Sequence, residues 1–166
     1  MQVISNTSPL LNLAIINQLH LVREQFREII IPNAVLKELR INENLPGSLQ
    51  LREAFDASWI RVKSVENEAF VKLLRRELDE GESEAIALAI ELKADWKLLD
   101  ERDGRKIARN LGLNITGVLG IILRGWQQGN VSSVKTIINQ LRSDSHFHIS
   151  SNLEEQILKE TGELKS

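Results

Sequence analysis

Four oxygen-bearing side chains stand where a protein of alternating strands and helices would put them to use. Glu82 opens the stretch Leu78 to Lys93, in which Ala85, Ile86, Ala89 and Ile90 recur at helical spacing. It precedes Ala85 by three residues and Ile86 by four, so the apolar stripe carries a carboxylate in its first turn. Glu84 falls roughly 200° round the same helix and is expected to point away from that face. Asp100 follows Leu98 and Leu99, and Asn6 follows Ser5, each at the carboxyl end of a short strand. Glu38 sits at the edge of the stripe formed by Val35 and Leu39. Three carboxylates and an amide from distant parts of the chain would repel one another unless a cation lay between them. Hard oxygen ligands, with no cysteine and no paired histidines, suit Mg²⁺ or Mn²⁺ rather than zinc. A site of that kind activates water and neutralises phosphate charge, as in metal-assisted nucleases and phosphatases.

The elements that must position these residues alternate in type. Strands are expected at Gln2 to Ser5, Glu28 to Pro32, Trp59 to Val65, Trp96 to Asp100 and Asn114 to Gly117. Helical patterns fill the intervals. One carries Leu10, Leu11, Leu13, Ala14, Ile16 and Leu19, with Ser8 as its cap and Pro9 in its first turn. Others cover Asn33 to Leu39, Leu49 to Phe55, Asn67 to Leu78, Asp103 to Leu111 and Val118 to Gln127. Two more lie near Val131 to Leu141 and Asn152 to Glu160. Short strands alternating with helices predict an α/β fold, a three-layer α/β/α sandwich on a mostly parallel sheet. In such a sheet ligands bind beyond the carboxyl ends of the strands, near a topological switch point. That rule selects Asn6, Asp100 and Thr116, with the helix starts beside them.

Composition sets the outer limits. The 166 residues are 42% hydrophobic and 27% charged, which is the range of a globular chain able to bury a core. One domain over residues 1–166 is expected, with 143–166 as a helical extension. Without cysteine there is no disulfide framework, thiol nucleophile or cysteine-ligated zinc. No apolar run approaches the roughly 18 residues needed to span a membrane. The first residues lack the pattern of a secretory leader, so a cytoplasmic location is expected. A net charge of −2 leaves any nucleic-acid contact to local basic clusters. Arg102, Arg105, Lys106 and Arg109 form one such cluster beside Asp100, with Arg105 and Arg109 on one helix face. His20, His146 and His148 show no acid–base pairing.

Five segments carry a resemblance. They are Val3 to Leu13, Ile31 to Leu39, Gly81 to Ala89, Leu98 to Ala108 and Thr116 to Gly120, in that order over roughly residues 2 to 130. Together they resemble the PIN-domain family, and within it a prokaryotic branch close to the VapC-type toxins. The resemblance implies a Rossmann-like α/β/α sandwich, a divalent metal site and endoribonuclease activity. It also implies frequent dimerisation and, in many members, inhibition by a small antitoxin. Carried over position by position, the family's acids fall on Asn6, Glu38, Glu82 and Asp100, with Asp103 as a second alignment of the last. Ser8 matches a hydroxyl near the first acid. The departure is Asn6, whose amide removes one negative charge from the set.

Two functions follow. In the first, Glu38, Glu82 and Asp100 are catalytic and bind Mg²⁺ or Mn²⁺ together with Asn6 and Asp103, while Ser8, Arg102, Arg105 and Arg109 hold the RNA backbone. The protein is then a toxin ribonuclease of a toxin–antitoxin pair, dimeric and free of any membrane. In the second, raised by Asn6, the fold has lost efficient catalysis and serves as an RNA- or protein-binding module.

Overall fold

The computed structural model describes residues 1–164, so Lys165 and Ser166 of the expected C-terminal extension lie outside the described residues. Strand β1 (Val3–Ser5) is followed by helices α1 (Thr7–Ile15) and α2 (His20–Phe26), and β2 (Ile29–Ile31) by α3 (Asn33–Leu39) and α4 (Ser48–Asp56). Next come β3 (Ile60–Val62), α5 (Glu68–Leu74) and α6 (Glu80–Glu91), then β4 (Trp96–Leu98) and α7 (Arg102–Asn110). The chain continues through β5 (Ile115–Thr116) and α8 (Val118–Gln127) to α9 (Val134–Asp144) and α10 (Ser151–Thr161).

The five strands form one sheet in the order β3-β2-β1-β4-β5, every pair parallel. The chain winds outward from β1 through β2 to β3, then crosses back to β4 and continues to β5. With right-handed crossovers, that reversal puts the connecting helices on opposite faces of the sheet and yields the expected sandwich. It also leaves the switch point between β1 and β4, whose register pairs Val3 with Trp96, Ile4 with Lys97 and Ser5 with Leu98. Asn6 and Asp100 therefore emerge side by side at the crevice where ligands bind in open parallel sheets.

Helix α6 packs on β1, β4, α3 and α5. Surrounded in this way, it buries Ala85, Ile86, Ala87, Leu88 and Ala89 without a break. An amphipathic stripe was expected, but here only Ile90 turns outward among its apolar residues. Small alanines suit a helix contacted from several sides, because a larger residue would hold its neighbours off.

Three local expectations are corrected. The first long helix is two, because Asn17 takes a positive φ of 58° and ends α1, and α2 starts anew at His20. Ser8 is not the cap: the helix already begins at Thr7 after an extended Asn6, which leaves the Ser8 hydroxyl free for another partner. Glu84 does not point into solvent. Its Oε1 accepts the Ala34 N–H at 3.1 Å and so satisfies a donor at the start of α3.

Candidate functional site

Asn6 continues the β1–β4 ladder, donating its backbone N–H to the Leu98 carbonyl at 3.0 Å. Its side chain is buried at the switch point. The amide Oδ1 accepts a hydrogen bond from Lys97 Nζ, and Nδ2 has no partner. Lys97 is the middle residue of β4 and is 0% exposed. Its ammonium also donates to the Leu98 carbonyl at 3.3 Å. A lysine on a strand covered on both faces can reach neither water nor the rim, so it must find its acceptors inside.

Three carboxylates surround this corner. Asp79 caps α6 by accepting the Glu82 N–H at 2.8 Å, and this places Glu82 in the helix's first turn, as its spacing required. Glu82 Oε2 is buried without a partner. Asp100 leaves β4 with Oδ1 accepting the Val118 N–H at 3.1 Å, while Oδ2 is buried and unpartnered. Glu101, at the start of α7, accepts the Ser8 hydroxyl through Oε1, and its Oε2 is likewise orphaned. Three buried carboxylate oxygens without donors are the clearest chemical signal in the molecule, since such atoms are normally satisfied.

Glycines let these acids approach the backbone. A Cβ at Gly104 would lie 2.6 Å from Glu82 Oε2, and one at Gly117 would collide with Asp100 Oδ1. One at Gly81 would lie 2.6 Å from Glu38 Oε2. Each seat comes from a different element: α7 for Glu82, the β5–α8 turn for Asp100 and α6 for Glu38.

The remaining expected residues border this group and lie nearer solvent. Glu38 is exposed and accepts the Thr7 hydroxyl. Asp103 is also exposed, and it lines both a cavity with Glu77 and Asn110 and the cleft that contains Asp100. Ser8 is occupied by Glu101. Arg102, Arg105, Lys106 and Arg109 line a cleft of about 790 Å³ that begins at Asp100 and reaches Leu153 of α10. Two residues escaped the sequence reading as site members. Glu101 was visible only as one acid of an acid-rich turn, and Lys97 as a charge inside an apolar strand.

Burial governs the electrostatics. It pushes Glu82 up to about 8, helped by the nearby carboxylates of Asp79 and Glu101 and opposed by Lys97. It pushes Asp100 up to about 6, opposed by the Val118 N–H and by Arg105. The same desolvation lowers Lys97 to about 7, against the pull of Glu101 and Glu82. Among the described residues no three acidic or histidine side chains already enclose a point where one ion would sit. The fit to a hard cation is one of donor type and unsatisfied oxygens. In donor type alone, the bare oxygens of Glu82, Asp100 and Glu101 suit a hard cation such as Mg²⁺ or Mn²⁺.

A family model described as PIN domain matches residues 2–163. Among solved structures, the chain is similar to a PilT N-terminus domain protein from the hyperthermophilic archaeon Sulfolobus solfataricus P2. That similarity is 14% identity over 90% of this chain and 100% of the other, with a TM-score of 0.46. No curated protein matches the chain.

The glycine seats can be tested by stability. Gly104→Ala should gain about 0.5–1 kcal/mol from helix propensity. Instead, displacement of Glu82 is expected to make it destabilising by about 1–3 kcal/mol in urea unfolding. The Glu82→Ala/Gly104→Ala double variant should recover the propensity gain relative to Glu82→Ala alone. Additive effects would show that Gly104 does not seat Glu82.

Proposed function

The chain belongs to the PIN-domain family, and on that premise we propose that it is a divalent-metal-dependent endoribonuclease. The observation that carries this reading is the trio of buried, unpartnered oxygens on Glu82, Asp100 and Glu101 at the switch point. These residues would hold Mg²⁺ or Mn²⁺, and the bound ion would supply an activated water and neutralise phosphate charge. Val118 N–H fixes one oxygen of Asp100, which leaves the other free to face the ion. Asp79 fixes the first turn of α6 and with it the approach of Glu82. The basic cleft beginning at Asp100 suits a polyanion, with Arg102, Arg105, Lys106 and Arg109 offering cations to successive phosphates. Relative to the set implied by the resemblance, Glu101 joins the ligands, while Glu38 and Asp103 face solvent.

The narrower role follows the motif resemblance: a dimeric cytoplasmic toxin restrained by a small antitoxin protein. A second reading, a PIN-like module with weakened catalysis, is favoured by one observation. The Asn6 amide oxygen, offered to a metal by the resemblance, is taken by Lys97. RNA binding without cleavage by the wild-type protein in Mn²⁺ would select it.

Three outcomes are expected. Glu82→Gln and Asp100→Asn should each lower Mn²⁺-dependent RNA cleavage by more than about 100-fold, the upper range for loss of an outer-shell partner. Their circular dichroism should match that of the wild type. Cleavage by the double variant at the wild-type rate would end the metal-site reading. Mn²⁺ affinity should climb as pH rises through 6 to 8, because the raised Asp100 and Glu82 must lose protons before they can ligate. Calorimetry in buffers of different ionisation enthalpy would detect the released protons, and a flat affinity across that range would contradict the assignment. Expression in a bacterial host should arrest growth, and co-expression of the protein encoded by the adjacent gene should relieve the arrest. Unimpaired growth during expression of active protein would remove the toxin role.

A further inference from the structure

The acidic corner already contains a cation. Lys97 Nζ lies at the switch point, fully buried, held by Asn6 Oδ1 and the Leu98 carbonyl. The carboxylates of Glu101 and Glu82 act on its charge, and it acts in turn on Glu82. No salt bridge joins it to either acid at contact distance among the described residues, so it influences the pair across the corner while bonding to a neutral amide. Asn6 suits that position. An aspartate there would form a buried ion pair with the ammonium and add a further charge to a desolvated site.

We propose that Lys97 is a resident cation of the site: it takes Asn6 for its own acceptor and balances one of the three half-buried carboxylates, so that the pocket accepts a single divalent ion. This deepens the metal-dependent reading and rests on it. The reasoning is one of charge. Glu82, Asp100 and Glu101 carry three negative charges when ionised, Lys97 supplies one positive charge, and one Mg²⁺ or Mn²⁺ supplies two. These charges then sum to zero, as do those of Asp79 and Arg105 beside them, and a second divalent ion would leave an uncompensated excess in a partly desolvated place. Lys97 is a positioning residue here. It touches Asn6 and the strand backbone and acts on the metal ligands through its charge. Asn6 is correspondingly the lysine's partner and not a ligand of the ion.

The test replaces the charge and keeps the stem. Wild type, Lys97→Met, Glu101→Gln and the double variant Lys97→Met/Glu101→Gln are compared, each as the full chain. Mn²⁺ binding is measured by calorimetry and by the electron paramagnetic resonance signal of free Mn²⁺. Thermal unfolding is followed in EDTA. Wild type should bind one Mn²⁺ per chain. Lys97→Met should bind Mn²⁺ at least about tenfold more tightly or take up a second ion, since a like charge has left the corner. In EDTA its Tm should fall, and Glu101→Gln should restore much of that loss, an effect that a role in packing alone would not produce. If Lys97→Met is too unstable to purify, the double variant should fold and bind one Mn²⁺. Two ions on the wild type, unchanged affinity in Lys97→Met, or equal Tm losses with Glu101 and with Gln at that position would each overturn the proposal. Failure of the wild type to bind any Mn²⁺ would instead defeat the metal-dependent reading. The coupling between Lys97 and Glu101 in EDTA would then still decide whether the lysine balances the acids.

Discussion

Ionisable groups taken out of water must be matched or neutralised, and this sheet takes four of them to one corner. Glu82, Asp100, Glu101 and Lys97 arrive there from α6, the end of β4, the start of α7 and the middle of β4. Asp100, Glu101 and Lys97 each have a fixed side-chain partner, in the Val118 N–H, the Ser8 hydroxyl and the Asn6 amide, while Glu82 is placed through its backbone N–H on Asp79. What these anchors leave open is equally consistent, one bare oxygen on every carboxylate. Three acids that each keep a buried oxygen without a donor are arranged for something brought in from outside the chain. The balance of desolvation against partial pairing raises two of the acids and lowers the lysine.

Helix α6 makes that arrangement possible. Its alanines let α3, α5 and the sheet close around it, and its acids are divided among separate tasks. Glu82 faces the corner. Glu84 accepts the Ala34 N–H at the start of α3. Glu91 accepts the N–H groups of Glu66 at 3.0 Å and Asn67 at 2.6 Å, just before α5. The helix that presents the site acid therefore also organises the first turns of its two neighbours. Loss of Glu84 would remove the acceptor of the Ala34 N–H and loosen the start of α3.

The strand pattern and the rule placing ligands beyond carboxyl ends selected Asn6, Asp100 and Thr116, helical spacing selected Glu82, and the sheet order puts Asn6 and Asp100 at the switch point. The motif resemblance and the family match agree on the fold. Other features depend on contacts between distant segments. Glu101 became a site residue because Ser8, 93 positions earlier, turns its hydroxyl toward it. The roles of Gly104 and Gly117 exist only once Glu82 and Asp100 lie against them. Glu38 matched the family position yet stays exposed beside Thr7. Lys97 was the legible signal that went unread. A lysine within an apolar strand covered on both faces has no route to water, and that alone requires an internal acceptor. The split of α1 from α2 was hidden because Ile16 and Leu19 continue an apolar spacing across a backbone break at Asn17.

The central claim is that the orphaned carboxylates, with Lys97 among them, form a site for one divalent ion. An anomalous-difference map from crystals grown with Mn²⁺ tests it most directly. The account predicts one peak per chain, ligated by Glu82, Asp100 and Glu101, with Lys97 Nζ still bonded to Asn6 Oδ1. A pair of peaks, or a single peak ligated by Asn6, Glu38 or Asp103 in place of that trio, would contradict it.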